Sequence, residues 1–152
     1  MDTTNWLSDD EMRLWRAFIT ASSGITSKLD TALKRSHELN LDDYEVLVFL
    51  SESPDQPLRM SELSDRLLHS RSRLTQRIDR LANRGFVRRE KCQDDQRSTW
   101  AILTPEGMTA LTAAAPDHLD HVREFFFDHI EPKDVPTIAN ALEAIVENNR
   151  TT

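Results

Sequence analysis

Ser70-Arg71-Ser72-Arg73-Leu74-Thr75-Gln76-Arg77-Ile78-Asp79-Arg80-Leu81-Ala82-Asn83 is the stretch whose reading decides the fold. Wound at about 100° per residue, it separates into two faces. Leu74, Ile78 and Leu81 fall in one narrow sector and must pack on the protein. Ser72, Arg73, Gln76 and Arg80 project the opposite way, with Ser70, Arg71 and Arg77 flanking the boundary. Ser70 is a suitable cap, and Gly85 just beyond Asn83 is a stop signal, which predicts a helix over Arg71–Asn83. An ordinary solvated face carries mainly Glu and Lys. This one carries small hydroxyls, Gln and Arg, the donor-rich set that reads base edges in a major groove: Arg forks to guanine O6 and N7, Gln to adenine N6 and N7. Ser hydroxyls and the helix N-terminus suit phosphate oxygens. Asp79, one turn on, is placed to orient Arg80.

Just upstream, Met60 to Leu68 reads as two turns of helix with Leu63 and Leu67 on one face, and His69-Ser70 as the turn between the pair. Downstream, Phe86–Cys92 and Ser98–Thr104 read as two short strands joined by the polar tip Gln93-Asp94-Asp95-Gln96-Arg97. Arg88, Arg89 and Lys91 line the first strand, and Arg97 stands at the tip. A narrow groove of enhanced negative potential favours an inserted Arg, and Asp95 is close enough in sequence to hold that guanidinium. A charged, solvated hairpin is the plainer alternative.

The charge of the whole chain, −7, conceals this centre. Arg59–Thr104 holds 11 Arg or Lys against 6 Asp or Glu, a local +5. The remainder holds 8 basic and 20 acidic residues, a charge of −12. Phosphate attraction acts over about one Debye length, so the local figure governs binding.

Around the centre lie helices. Ser8 and Glu11 have capping-box spacing ahead of an apolar pattern at Leu14, Trp15, Phe18, Ile25, Leu29 and Leu33, predicting a helix to about His37. Trp15 and Phe18 suit an interface or core. Asp42 and Glu45 repeat the capping spacing before Tyr44, Leu47, Val48 and Leu50, and Pro54 and Pro57 mark a loop. A long helix is expected over Glu106–Ile130, bent near Pro116, and a last one after Pro132 with Val135, Ile138, Leu142, Ile145 and Val146 as its stripe. Phe125-Phe126-Phe127 puts apolar bulk on adjacent helix faces, more than one-sided packing needs. An apolar content of 38% is low for a monomeric core and points to a core shared with a second copy. No stretch approaches the ~18 apolar residues of a membrane span. Met1-Asp2-Thr3-Thr4-Asn5 lacks the features of a signal peptide, and one cysteine excludes an intrachain disulfide, so a soluble cytoplasmic protein is expected.

Several of these pieces together resemble the MarR family of winged-helix regulators, over nearly the whole chain. Met60-Ser61-Glu62-Leu63, Ser70-Arg71-Ser72-Arg73-Leu74-Thr75, Asp79-Arg80-Leu81 and Gly85-Phe86-Val87 look like its helix-turn-helix. Asp95-x-Arg97 followed by Leu103-Thr104-Pro105-Glu106-Gly107 looks like its wing. Trp15-Arg16-Ala17-Phe18 and Ala115-Pro116-Asp117-His118 are most similar to actinobacterial members. The resemblance implies a mainly α protein with a small β-hairpin wing: residues 41–104 as the winged helix-turn-helix, 1–40 and 105–152 as dimerisation helices, and Arg97 entering the minor groove. It also implies a homodimeric repressor of double-stranded DNA at pseudo-palindromic promoter sites, about one helical turn between half-sites. Release by a small-molecule effector or by cysteine oxidation is the family's usual switch.

Cys92 is the candidate oxidant sensor, since the cations Lys91, Arg88 and Arg89 beside it lower a thiol pKa. An unremarkable strand cysteine is the alternative. His118 and His121, at i and i+3 among Asp117, Asp120 and Glu124, are weak metal candidates. Tyr44, Trp15 and Phe18 are candidates either for an effector pocket or for plain core. No Gly-rich phosphate loop, nucleophile elbow or strong ligand cluster marks an enzyme, and no cofactor is implied. A protein-interaction module on the same fold, without specific DNA reading, is the competing function, supported by the acidic frame.

Overall fold

The structure, a computed structural model, describes residues 4–53, 57–67 and 69–150; the readings placed on Met1–Thr3, Pro54 and Leu68 lie outside the described residues. The described residues form six α-helices and a three-stranded antiparallel sheet: α1 (Asp9–His37), α2 (Leu41–Ser51), β1 (Leu58–Arg59), α3 (Met60–Leu67), α4 (Arg71–Asn83), β2 (Val87–Lys91), β3 (Thr99–Leu103), α5 (Pro105–Phe125) and α6 (Val135–Arg150). The sheet order is β1-β3-β2. Among the described residues no helix is long and apolar enough to cross a membrane.

Local signals set most boundaries. The Ser8 Oγ accepts from the Glu11 amide at 3.3 Å while the Glu11 carboxylate accepts from the Ser8 amide at 2.7 Å, closing the predicted capping box. α1 ends where Glu38 turns left-handed (φ 54°). The expected cap of α2 is displaced: Asn40, not Asp42, starts it, its Oδ1 accepting from the Asp43 amide at 2.7 Å. Asp30 of α1 reinforces that start by accepting the Leu41 amide at 3.0 Å. These contacts draw Asp42 and Asp43 into the first turn, where carboxylates favour the helix dipole.

α4 runs as predicted, capped by Ser70, whose Oγ accepts from the Arg73 amide at 3.3 Å. Gly85 follows it at φ 77°, a conformation that costs glycine nothing, and the Phe86 amide returns to Leu81 O at 2.9 Å. β2 and β3 pair in register, Arg89 opposite Ala101 and Lys91 opposite Thr99. β1 is an addition: Leu58 and Arg59 pair with Ala101 and Trp100. Two residues are too few to show alternation.

The start of α5 is locked onto the α4–β2 turn by one hydroxyl. Thr104 Oγ1 donates to Gly85 O at 2.6 Å and accepts from the Gly107 amide at 3.0 Å. A Cβ on Gly107 would sit 2.1 Å from the Phe86 carbonyl oxygen, so the Thr104-Pro105-Glu106-Gly107 segment needs glycine for close backbone approach. α5 stays helical through Pro116 but stops at Phe125, short of the expected Ile130. Continuing through Phe127 would spread three rings over roughly 200° of the helix circumference. Instead the backbone leaves helical geometry at Phe126 (φ −132°, ψ −66°), setting the Phe126 and Phe127 rings edge to face, 5.1 Å apart. Two 3-10 turns, Phe127–His129 and Pro132–Asp134, lead to α6.

One buried cluster joins the elements. It runs from Leu33 and Leu39 through Tyr44, Val46, Leu47 and Leu50, across Leu63, Leu74, Ile78 and Leu81, to Val87, Ala101, Leu111 and Ala114. It therefore crosses the sequence positions 40 and 105. The predicted inward stripe of α4 is fully buried, and truncating any one of these residues to Ala costs about 2–5 kcal/mol.

Arg77 departs from the outward set. Its side chain is 4% exposed and pairs with Asp42 of α2. The same guanidinium lies 3.0 Å from His69 Nδ1 in the α3–α4 turn. A guanidinium can only donate, so the facing imidazole nitrogen must carry a lone pair and His69 must be neutral. Burial and the neighbouring Arg77 charge hold His69 below its ordinary value of 6.5. Burial lowers His118 in the same way. Two more guanidiniums extend the clamp: Arg80 Nη2 reaches the buried Asp43 carboxylate at 3.1 Å, and Arg84 Nη1 reaches Glu38 O at 2.6 Å.

Two outcomes are expected. Gly107→Ala lowers the denaturation midpoint, with a cost of about 1–3 kcal/mol or more for forcing backbone apart, and an unchanged midpoint would refute the close approach. Both histidines have folded pKa values below their unfolded ones, so the unfolded chain takes up those protons first. Stability is full above pH 6.5 and falls as the pH drops through the lower folded values. His69→Gln, whose amide oxygen still accepts from Arg77 but does not titrate, flattens part of that decline in chemical denaturation between roughly pH 7.5 and 5.5.

Candidate nucleic-acid interface

The basic centre divides by what each guanidinium already touches. Arg77 and Arg80 are bound to Asp42 and Asp43. Arg88 pairs with Glu90 on its own strand at 2.8 Å. Arg89 bridges β2 to α4, donating to Asp79 Oδ1 at 2.8 Å and Thr75 O at 3.2 Å. Asp79 therefore holds Arg89, not Arg80 as its spacing suggested. Arg71, Arg73 and Arg97 are exposed and have no hydrogen-bond or ion-pair partner for their guanidiniums among the described residues. With Ser72 and Gln76 they form the outward surface.

The correction for Arg77 follows from geometry. At the boundary of the apolar sector it turns inward, because Asp42 and His69 offer partners there and a guanidinium without partners would not survive burial. Arg80 keeps an exposed stem, its side chain 52% accessible, but its charge is half spent on Asp43. Ser70 Oγ is occupied as the helix cap and lies 3.3 Å from Ser72 Oγ.

At the wing tip, Asp95 organises backbone, not guanidinium. Its Oδ1 accepts from the Arg97 amide at 3.0 Å and its Oδ2 from Ser98 Oγ at 2.9 Å. These bonds hold the carboxyl below the usual aspartate range. The turn is fixed while the Arg97 side chain stays free to project, an arrangement suited to a probing cation.

Cys92, the candidate oxidant sensor, lies just beyond β2. The flanking strand is basic, yet the residue itself is 3% exposed. Its amide bonds Ser98 O at 3.0 Å. The two metal candidates are each committed to aromatic rings. His118 packs on Tyr44 with ring centroids 4.4 Å apart, and its Nδ1 is buried without a hydrogen-bond partner among the described residues. His121 stacks on Phe125 at 5.5 Å. The i, i+3 spacing sends the two imidazoles to different neighbours, and no group of three metal-ligating side chains occurs among the described residues. Tyr44 is core, whereas Trp15 and Phe18 lie exposed on α1 with centroids 6.4 Å apart.

Sequence reasoning missed Arg59. It lies in β1, its guanidinium 6.0 Å from the Trp100 ring centre, on the rim of the crevice between α4 and the wing. Nothing local announces a two-residue strand; the only hint was its place at the start of the basic segment.

Comparisons with known proteins agree with this geometry. The MarR family model matches residues 37–98. The crystal structure of AbsC, a MarR family transcriptional regulator from Streptomyces coelicolor, is 38% identical, covers 98% of this chain and 100% of its own, and superposes with a TM-score of 0.91. Sco3205, a MarR family regulator from the same organism crystallised in complex with DNA, is 37% identical, with coverage of 97% and 92% and a TM-score of 0.91. The HTH-type transcriptional regulator MhqR of Bacillus subtilis is 30% identical over 111 residues, which is 72% of this chain and 75% of MhqR. By sequence and by fold, the chain belongs to the MarR family and is a transcriptional regulator, not an enzyme.

Proposed function

We propose that the protein is a dimeric repressor that binds pseudo-palindromic duplex DNA, laying α4 in the major groove and Arg97 in the adjacent minor groove. The observation that carries this reading is the set of unpartnered cations. Arg71, Arg73 and Arg97 stand exposed beside Ser72 and Gln76, while the other arginines of α4 are paired with carboxylates of α2, Arg77 buried and Arg80 half-exposed. The similarity to Sco3205, which was crystallised with DNA, supports it. Arg71, Ser72, Arg73 and Gln76 address the groove floor and its phosphates, with Ser70 limited to the helix start. Arg88 and Arg89 act mainly by field and by holding the wing.

Dimerisation through residues 1–40 and 105–152 is supported by apolar surface with no internal use. Leu14, Trp15, Phe18 and Ile19 of α1, Leu119 of α5, and Ile145 and Val146 of α6 are all exposed. Among the described residues α6 buries none of its own, and an exposed apolar stripe of this kind marks a surface for a partner. Two copies would present two α4 helices to successive major grooves. A dimer would also confine the acidic frame to faces turned from the phosphates.

Release from DNA is assigned to a small-molecule effector in preference to oxidation of Cys92, because the thiol is buried. Peroxide titration of the native chain and of Cys92→Ser should therefore weaken DNA binding equally or not at all; selective protection of the variant would restore the redox switch.

Binding to a promoter duplex should fall steeply with salt, log K against log [salt] having a slope of about −0.9 per phosphate neutralised. Arg97→Ala should weaken binding without moving the melting temperature, since its side chain holds no other element. Arg73→Ala should reduce the preference for the promoter over random duplex, a base-reading contact being worth about 1–3 kcal/mol. A chain with no salt dependence and no preference over random DNA would instead fit a protein-interaction module.

A further inference from the structure

Between the first turns of α3 and α4 and the wing lies a cavity of about 510 Å³. Four arginines line it, Arg59 of β1, Arg71 of α4, Arg89 of β2 and Arg97 of the tip, with Ser61 and Thr99 among the remaining lining residues. Among the described residues no Asp or Glu lines it. The nearest carboxylates act outside it: Glu62 accepts the Arg59 amide at 3.1 Å, Asp95 is spent on the wing turn, and Asp79 neutralises Arg89. Arg59, Arg71 and Arg97 therefore line it with no carboxylate bonded to their guanidiniums among the described residues, Asp95 reaching Arg59 only through its field, and an anion is a suitable partner for such a set.

Arg59 is the member that distinguishes this crevice from the recognition surface. It comes from neither α4 nor the tip, and its guanidinium is steadied by the Trp100 ring at 6.0 Å. It belongs to the sheet strand opposite β2, so its position does not depend on which bases α4 meets. A tetrahedral oxyanion with several acceptor oxygens matches planar guanidinium donors arriving from three directions.

We infer that this crevice seats one backbone phosphate of the bound duplex in each copy, and that Arg59 is a phosphate-binding residue of the protein. The inference rests on the DNA-binding reading above. A phosphate there lies between the groove entered by α4 and the groove probed by Arg97, and fixes the spacing between the two contacts. Arg59 thus contributes affinity and register but no sequence information.

The full-length protein is titrated with a labelled promoter duplex and a random duplex over a series of KCl concentrations, as wild type, Arg59→Gln, Arg59→Lys and Ser61→Asp. Arg59→Gln should lower the magnitude of the salt slope by about 0.9 per copy, so by about 1.8 in a dimer. It should weaken promoter and random duplex by the same factor, leaving their ratio within about twofold. Arg59→Lys should retain the slope. Ser61→Asp, which places a carboxylate at the crevice in a helix first turn that favours one, should weaken both duplexes while melting no earlier than wild type. Inorganic phosphate should compete no better than KCl of equal ionic strength. Wild type that binds with an Arg59→Gln slope equal to its own overturns the phosphate seat and leaves the DNA reading intact. A loss of promoter preference in that variant, or strong competition by free phosphate, likewise overturns it. Wild type that binds neither duplex overturns the DNA reading and this inference with it.

Discussion

The Arg77–Asp42 pair, set against the lone pair of a neutral His69, is the contact on which the presentation of α4 depends. A helix packed by Leu74, Ile78 and Leu81 alone is free to roll by small angles, because apolar contacts are non-directional. A guanidinium held on one side by a carboxylate and on another by an imidazole is not free, since its donors have fixed directions. Arg80 and Arg84 add bonds to Asp43 and to the Glu38 carbonyl, one helical turn apart each time. The roll of α4 is thereby referred to the α1–α2 junction.

Charge is distributed by the same logic. A protein of net charge −7 presents a positive surface because the acids in and beside its basic segment are spent on positioning. Asp42 and Asp43 draw two arginines inward, Asp79 ties Arg89 across to α4, and Asp95 fixes the wing turn through backbone and hydroxyl donors. On the α4 and wing-tip surface, Arg71, Arg73 and Arg97 are left without a partner among the described residues, with Arg59 behind them. The backbone that carries these cations is held by caps and turn bonds, while their side chains are ordered only on meeting a phosphate or a base.

The helical parts and the winged part are not independent bodies joined by a linker. Leu33 and Leu39 at the end of α1 and Leu111 and Ala114 of α5 share one core with the α4 stripe. The Thr104 hydroxyl and the close approach at Gly107 bolt α5 to the turn that ends α4. Exposed apolar residues gather on the other sides of α1, α5 and α6. One side of these helices thus supports the reading helix, and the other is left for a second surface.

The residue order alone determined most of the helices and the two wing strands, because periodicity, the Ser8 and Ser70 caps and the Gly85 stop are local effects acting within a turn or two. It also determined that Leu74, Ile78 and Leu81 face inward, and that basic residues gather between Arg59 and Thr104. It did not reveal which arginines are available. Arg77 and Arg73 occupy similar sequence surroundings, and only the approach of Asp42, 35 residues earlier, turns one of them inward. The same holds for the burial of Cys92, for the separate aromatic neighbours of His118 and His121, and for β1, whose two residues exist as a strand only because β3 lies beside them. Propensity and periodicity are summed along the chain, whereas desolvation and ion pairing depend on distances across it, so the elements were legible in the sequence and the commitments of their charges were decided by the tertiary structure.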